Sequence, residues 1–331
     1  MPKSRHTIRS VIILAMVTHP TILASTWNNG VFVLDEGGLS HELPNRTVRG
    51  LSQDTVGGAY AAVDDQYLFR RKQTGKWTCL ASNEFALSVT VAVDGKIYVG
   101  TDDARILRLN EEDKFDQIDN FDSIEGRASW LAGTAIIDGK EVGPPLGIRS
   151  ISGDPNGRLF ANVHVGGIPR SEDGGATWKP TIDVELDAHE VRVSPYNNDI
   201  IAAATAYGLC MSWNGGNSWS VQTEGLHDSY CSAVAITENH IFVAASAGHF
   251  TQEGAIYRRS VDPSKARLEK LGAGLPKWLT GIADTSCIAS NGDDMAIISA
   301  GGEVYASVDS GHNWHKRKEN IADVSSVLII R

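Results

Sequence analysis

Four histidines in the middle of the chain have a residue type and a setting suited to chemistry. They are His164, His189, His227 and His249. Neutral imidazoles bind divalent metal ions, and imidazole also transfers protons near neutral pH. A lone histidine in a loop usually makes a structural hydrogen bond. The prediction of a site therefore depends on whether the fold brings these side chains to one place.

Two further groups of residues accompany the histidines. We expect catalytic side chains in the same region, with His189 and His227 acting together with Arg149, Glu190 and Tyr230. Aromatic residues in predicted loops could stack against a sugar or another planar ligand, and they could equally pack the rim of the fold. These aromatic residues are Trp27, Trp130, Tyr207 and Trp278.

A short pattern, repeated three times, indicates the elements that would position these residues. Residues 171–178, 212–219 and 307–314 share Ser, then Asp or Asn two positions later, Gly at four and Trp at seven. The Asp or Asn side chain can accept hydrogen bonds from the following amides, and Gly can adopt the positive φ of a tight turn. The Trp is large enough to fix the turn against the next strand. We call these segments the Trp turns.

The Trp turns occur within a longer repeat of short strands. Ser171 and Ser212 are 41 residues apart, and Ser212 and Ser307 are 95 apart, close to twice that period. Each unit has four predicted strands joined by turns rich in Asn, Asp and Gly, and seven units can be counted. Four-stranded units at this period predict an all-β, seven-bladed propeller of antiparallel blades that forms one domain over residues 1–331. The segment 324–330 repeats the innermost-strand pattern once more, so we expect it to meet the N-terminal strand where the ring closes.

The Trp turns resemble the Asp-box, or BNR repeat, of the sialidase-like β-propellers. That broad family includes exo-sialidases, other glycoside hydrolases, lyases, photosystem II assembly factors and non-catalytic binding modules. The resemblance implies that Asp173, Asn214 and Asp309 build turns, because the box lies away from the active site in the family. It does not imply sialidase activity, because the Ile-Pro-Arg-Ser sequence at 168–171 lacks the order of the family's arginine motif.

Strand direction predicts which face of the ring holds the site. Strands alternate in direction, so the loops between blades and the turns after each second strand share one face, and the Trp turns lie on the other. All four histidines fall on the first face, in units four to six, at the mouth of the central channel. An oversized insertion at about 119–146 falls there too, and we expect it to form a hairpin or a lid. We predict a hydrolase-like or lyase-like reaction on a small molecule or carbohydrate, with a divalent metal ion as one option. The alternative is a non-catalytic propeller that binds a glycan or a protein.

Composition limits the possible partners and locations. The net charge of −10 argues against nucleic acid and anionic membranes as partners. An apolar run at 11–17 follows basic residues and imitates a signal peptide, but residues 10–16 fit a strand of the first unit. The four cysteines lack metal-like spacing, so we expect buried free thiols. These features favour a cytoplasmic protein.

Overall fold

Seven antiparallel sheets and one separate two-stranded hairpin make up the described part of the protein in the computed structural model. The structure describes residues 20–130 and 146–331, together with the backbone of 135–137 and 140–142. The sheets follow one another along the chain as the blades of a β-propeller, which confirms the predicted fold class. The predicted strand at 10–16 lies outside the described residues. The division of the whole chain into a single domain stays a prediction.

The blades are numbered here in chain order, and the strands of each run from the channel outwards. Blade 1 consists of Val324–Ile330, Thr21–Thr26, Val31–Asp35 and Gly38–Glu42. Blade 2 consists of Val48–Gln53, Ala59–Val63, Tyr67–Arg71 and Trp77–Ser82, and blade 3 of Leu87–Val93, Lys96–Thr101, Ile106–Leu109 and Phe115–Gln117. Blade 4 consists of Gly147–Gly153, Leu159–His164 and Arg170–Ser171, with a bridge from Arg170 to Lys179 at its outer edge.

Blade 5 consists of Ala188–Val193, Ile201–Thr205, Gly208–Ser212 and Ser220–Gln222. Blade 6 consists of Tyr230–Ile236, His240–Ser246, Ala255–Ser260 and Glu269–Lys270, and blade 7 of Ile288–Asn291, Asp294–Ile298, Val304–Ser307 and His315–Lys318. In the ranges that the structure describes, three short 3₁₀ turns connect strands, at Asp119–Phe121, Arg127–Ser129 and Val184–Leu186.

The C-terminal strand closes the ring. Val324–Ile330 pairs antiparallel with Thr21–Thr26 and takes the innermost position of blade 1. Val327 and Ile329 are almost fully buried in this strand. The two ends of the described chain therefore share one sheet, and blade 1 is complete only when both are present.

The three Trp turns have a common hydrogen-bond pattern. In the first turn the Ser171 hydroxyl accepts from the Gly175 amide at 2.8 Å, and Asp173 Oδ1 accepts from the Thr177 amide at 2.8 Å. The same two bonds occur in the turns that begin at Ser212 and Ser307. Trp178 and its counterpart in the third turn, Trp314, are buried, whereas Trp219 is half-buried.

Glycine is required inside these turns because the neighbouring blade approaches closely. Gly216 has a φ of +82°, and a Cβ there would lie 2.7 Å from the ring of Phe160 in blade 4. Gly311 has a φ of +72°, and a Cβ there would lie 2.6 Å from Phe242 in blade 6. A side chain at either glycine would clash with the adjacent blade and strain the backbone.

The insertion between blades 3 and 4 contains a hairpin. Ala135–Ile137 pairs with Lys140–Val142, with Ala135 opposite Val142. Before the hairpin, Trp130 packs against Phe121, with 5.9 Å between ring centroids. The insertion thus begins as a packed segment between blades 3 and 4, because Phe121 also packs against Trp178 with 4.9 Å between ring centroids.

The prediction of four buried thiols is wrong for one cysteine. Cys210, Cys231 and Cys287 are buried, but Cys79 is exposed. Cys79 lies on the outermost strand of blade 2, in which Thr78, Cys79 and Ser82 are exposed. Among the described residues, no helix has the length and apolar character needed to cross a bilayer.

Candidate metal and ligand site

Irregularities in the innermost strands position the side chains at the mouth of the channel. In blades 3, 4 and 5 the pairing of the first two strands skips one residue, and the skipped residues are Ser88, Arg149 and His189. The side chain of a residue left out of the strand pairing points in a different direction from the one that regular alternation would give it. The same irregularity in the strand pairing therefore places one polar residue from each of three consecutive blades near the channel mouth.

Two histidines and one aspartate converge between blades 4 and 5. His164 ends the second strand of blade 4, Asp187 lies in the loop that enters blade 5, and His189 follows two residues later. His164 Nε2 lies 3.2 Å from Asp187 Oδ1, and His189 Nε2 lies 3.6 Å from Asp187 Oδ2. One potential ligand atom of each residue lies within 4.8 Å of those of the other two. We call these three residues the His/Asp triad.

The hydrogen bond of His189 defines its tautomer. Nδ1 lies 2.6 Å from the carbonyl oxygen of Cys231, which can only accept, so Nδ1 carries a proton. In the neutral imidazole Nε2 then has a free lone pair directed towards Asp187. A lone pair and a carboxylate repel each other unless a proton or a cation lies between them. A carbonyl acceptor behind the second ring nitrogen is also the usual arrangement of metal-binding histidines.

The electrostatics of the triad suit a cation. Burial lowers the pKa of His164, which keeps its imidazole neutral and able to act as a ligand. Burial alone would raise the pKa of Asp187, but the nearby imidazoles outweigh it and hold the pKa well below the usual range. Oδ1 of Asp187 lies 3.2 Å from His164 Nε2 without a well-formed hydrogen bond, and it has no other hydrogen-bond partner in the described part of the chain. The three residues thus provide two neutral nitrogens and one carboxylate, a donor set that binds Zn²⁺, Mn²⁺ or Fe²⁺.

Tyr230 lies beside the triad. Its ring centroid is 4.7 Å from that of His189. Burial raises the pKa of Tyr230, and the carboxylates of Asp284 and Asp187 raise it further. Its hydroxyl therefore remains protonated and able to donate a hydrogen bond at neutral pH.

Arg149 brings a positive charge into the same region. It is half-buried, and it makes no hydrogen bond and no ion pair with another described residue. Burial lowers the pKa of its guanidinium, and the carboxylates of Asp284 and Asp102 oppose that effect. An arginine that lines a cavity without a partner among the described residues is suited to an anionic group of a ligand.

A cavity of about 390 Å³ opens at the mouth of the channel. Arg149, Arg49, Asp102 and Asp284 line it, and Trp27 and His249 lie at its edge. Arg49 is already paired, with Nη2 2.5 Å from Asp102, and its guanidinium lies 5.2 Å from the Trp27 ring centroid. Of the two arginines, Arg149 is the one left for a ligand.

The two other predicted histidine ligands do not join the triad. His227 Nδ1 lies 2.7 Å from the Tyr257 hydroxyl, and its ring packs against Trp278 at 4.7 Å between centroids. His249 is half-exposed and lines the cavity, with Nδ1 3.9 Å from Asp284. The structure gives His227 a packing position and places His249 at the cavity edge.

Glu190, a predicted catalytic residue, points away from the mouth. Its side chain is completely buried, and its carboxylate accepts from the Val234 amide at 2.9 Å and from Arg192. Burial raises its pKa. These contacts tie the innermost strands of blades 5 and 6 together inside the wall of the channel, which is a structural position.

The predicted stacking residues are spread over the rim. Trp27 is 47% exposed and lines the cavity. Tyr207 is also exposed, on the turn after the second strand of blade 5. Trp130 lies against Arg127, and Trp278 lies under Lys270, whose Nζ is 3.2 Å from the ring centroid. Trp27 is the one of the four that lines the cavity.

Comparison with known proteins gives the fold. No family model matches the chain, and no curated protein matches it. Similar solved structures include the extracellular domain of a one-component system from B. thetaiotaomicron, with a TM-score of 0.57, 13% identity and coverage of 93% of this chain and 36% of that one. A GH74 xyloglucanase from Xanthomonas campestris gives a TM-score of 0.55 and 16% identity, with coverage of 90% of this chain and 47% of that one. An ancestral GH74 enzyme gives a TM-score of 0.53 and 15% identity, with coverage of 85% of this chain and 38% of that one.

These similar structures are propellers, and glycoside hydrolases are among them. The chain spans about half or less of the length of each. At this level of identity the likeness shows the propeller fold alone.

Proposed function

We propose that the mouth of the channel binds a divalent metal ion and acts on an acidic small molecule or carbohydrate, in a hydrolase-like or lyase-like reaction. The observation that carries this proposal is the convergence of His164, Asp187 and His189, with the proton of His189 fixed on Nδ1. When bound, such an ion would polarise an oxygen of the ligand or acidify a water molecule.

The chain's own residues supply the other requirements of such a site. Arg149, which has no hydrogen-bond or ion-pair partner among the described residues, would bind and orient an acidic group of the ligand. Tyr230, protonated beside His189, would donate a hydrogen bond or a proton to a ligand oxygen. Trp27, exposed at the cavity edge, offers a flat face for a sugar ring. The resemblance of the Trp turns to the Asp-box repeat and the glycoside hydrolases among similar structures agree with a carbohydrate ligand.

An assay against a panel of neutral and acidic oligosaccharides tests the proposal. Each substrate is incubated with the protein, with added Zn²⁺ or Mn²⁺ or with a chelator, and products are followed by mass spectrometry. We expect turnover of an acidic member that depends on metal and falls at least about a hundredfold in Tyr230→Phe or Arg149→Met, the size of a general-acid or electrostatic contribution.

The same panel separates an enzyme from a binding propeller. Saturable binding of an oligosaccharide without turnover, unchanged by the chelator, would favour the non-catalytic alternative. Neither binding nor turnover across the panel would contradict a carbohydrate ligand.

A further inference from the structure

A second cavity, of about 590 Å³, lies on the opposite face of the ring in blade 6. It is formed between the end of the strand Ala255–Ser260 and the loop over residues 261–268. Four basic residues and two glutamates line it, although the whole chain carries a net charge of −10. The basic residues are Arg258, Arg259, Lys265 and Arg267, and His240 lies beside them. The cavity is thus a local concentration of positive charge.

Arg258 and His240 have buried nitrogens without partners. Arg258 lies opposite Phe242 in the strand pairing, and His240 comes two residues before Phe242, so both side chains are on one face of the sheet. Nη1 of Arg258 and Nδ1 of His240 are buried and have no hydrogen-bond partner among the residues described. Buried polar nitrogens are nearly always satisfied in native proteins, so these two atoms indicate a ligand or water in the cavity.

Three of the four basic residues have no carboxylate partner among the described residues, whereas Arg267 pairs with Glu224 at 3.3 Å. Arg259 is fixed by three oxygen acceptors, on Ser260, Gln222 and Asp262, and the Asp262 acceptor is its backbone carbonyl. In the described ranges, no carboxylate oxygen lies within 4.0 Å of a charged nitrogen of Arg258, Arg259 or Lys265. Water could satisfy the buried nitrogens, but it would leave this charge uncompensated.

We propose that this cavity binds a tetrahedral oxyanion, a phosphate or sulfate group carried free or on an ester. Arg258 and His240 would donate to it from the sheet, and Lys265 would approach from the loop. A tetrahedral anion has acceptor oxygens in several directions, which matches donors that come from two different elements. The site is separate from the channel mouth and independent of the function proposed there.

Calorimetric titration of the intact protein tests this site with four probes at constant ionic strength. They are inorganic phosphate, glucose 6-phosphate, sodium acetate and glucose. We expect saturable binding of phosphate and of glucose 6-phosphate, weaker binding of acetate and none of glucose. Equal affinity for the two phosphates would identify the free anion as the ligand, and tighter binding of glucose 6-phosphate would identify the ester.

Two variants locate the binding. Arg258→Met should weaken phosphate binding about tenfold to a hundredfold, the effect of losing hydrogen bonds to a charged group. Arg108→Met in blade 3 changes the net charge equally, and its 40% exposed side chain lies outside the cavity, so it should leave binding unchanged. Lys265→Met, on an exposed loop, provides a second test that does not depend on the folding of the Arg258 variant. Absence of phosphate binding to the unmodified protein, or equal binding by Lys265→Met and the unmodified protein, would overturn the proposal.

Discussion

Asp187 Oδ2 lies 3.6 Å from His189 Nε2, while His189 Nδ1 is held 2.6 Å from the carbonyl of Cys231. The carbonyl comes from the innermost strand of blade 6, so the ring orientation of a blade 5 residue depends on its neighbour. With Nδ1 protonated, Nε2 is the ring nitrogen that faces the carboxylate. Together with His164, it defines a place where a cation would be stabilised from three sides.

Replacing the carboxylate of the triad should weaken metal binding. Asp187→Asn should lower the affinity for Zn²⁺ or Mn²⁺ by at least about tenfold, since even the loss of an outer-shell partner of a metal ligand has that effect. Asp228→Asn is a matched control, because Asp228 lies in the equivalent loop before blade 6 and outside the triad. Metal affinity is measured by competition with a chelating dye. Equal affinities in the two variants would remove Asp187 from the site.

The Trp turns should contribute to stability and leave the mouth unaffected. Trp178→Ala and Trp314→Ala should each lower the free energy of unfolding by about 3 kcal/mol, because both indoles are buried. Trp219→Ala should cost less, since this indole is half-buried and its Nε1 has no described hydrogen-bond partner. Urea unfolding measures the differences, with Tyr207→Ala as an exposed control expected to change stability by less than about 0.5 kcal/mol. A larger loss in the Trp219 variant than in the Trp314 variant would contradict this order.

Acid should weaken the third Trp turn in a defined pH window. Burial alone would raise the pKa of Asp309, but hydrogen bonds from Asn313, Ser307 and His312 outweigh it and lower the pKa to about 2. The unfolded chain, with an aspartate pKa of 3.8, then binds more protons between these values, so the stability due to Asp309 is present above pH 3.8 and is lost as the pH falls towards 2.

Asp309→Asn should reduce the fall in unfolding free energy between pH 4 and pH 2. The second Trp turn has Asn214 at this position and keeps the same amide bond, so the variant is expected to fold. Urea unfolding at a series of pH values measures the slope. An unchanged slope in the variant would show that Asp309 does not contribute to it.

Ring closure should depend on the C-terminal strand. Ile329→Ala should lower the free energy of unfolding by about 2 to 5 kcal/mol, because its side chain is buried between the closing blades. Leu328→Ala, next to it on the half-exposed side of the strand, should cost less. Differential scanning calorimetry of the two variants checks the prediction, and equal melting temperatures would argue against closure by this strand.

The fold could be predicted because its signals are local. The Trp turns depend on contacts within eight residues, and the alternating strands between them repeat at a near-constant period. The hairpin in the insertion has a similar local basis, with two aliphatic stretches around Asp138-Gly139. The cytoplasmic location has no such structural counterpart and stays a prediction.

The site could be predicted only in part, because strand direction gives the face of the ring and not the position around it. Strand direction places all four predicted histidines on one face, but of the four only His164 and His189 are adjacent across a blade interface. Alternation could not find Asp187, because Asp187 has a left-handed φ of +49° and His189 is left out of the strand pairing. His189 and Arg149 are left out of the pairing between the first and second strands of their blades. A rule that follows the alternation of one strand at a time does not include the partner strand, so it cannot predict these irregularities.

The most direct test of the account is the metal content of the purified protein. After incubation with Zn²⁺ or Mn²⁺ and gel filtration, mass spectrometry of the metals should give about one equivalent per chain in the unmodified protein. The double variant His164→Ala with His189→Ala should hold none, whereas His227→Ala, which changes a histidine outside the triad, should retain one equivalent. An unmodified protein without bound metal, or a triad variant that binds as much as the unmodified protein, would contradict the assignment of His164, Asp187 and His189 as a metal centre.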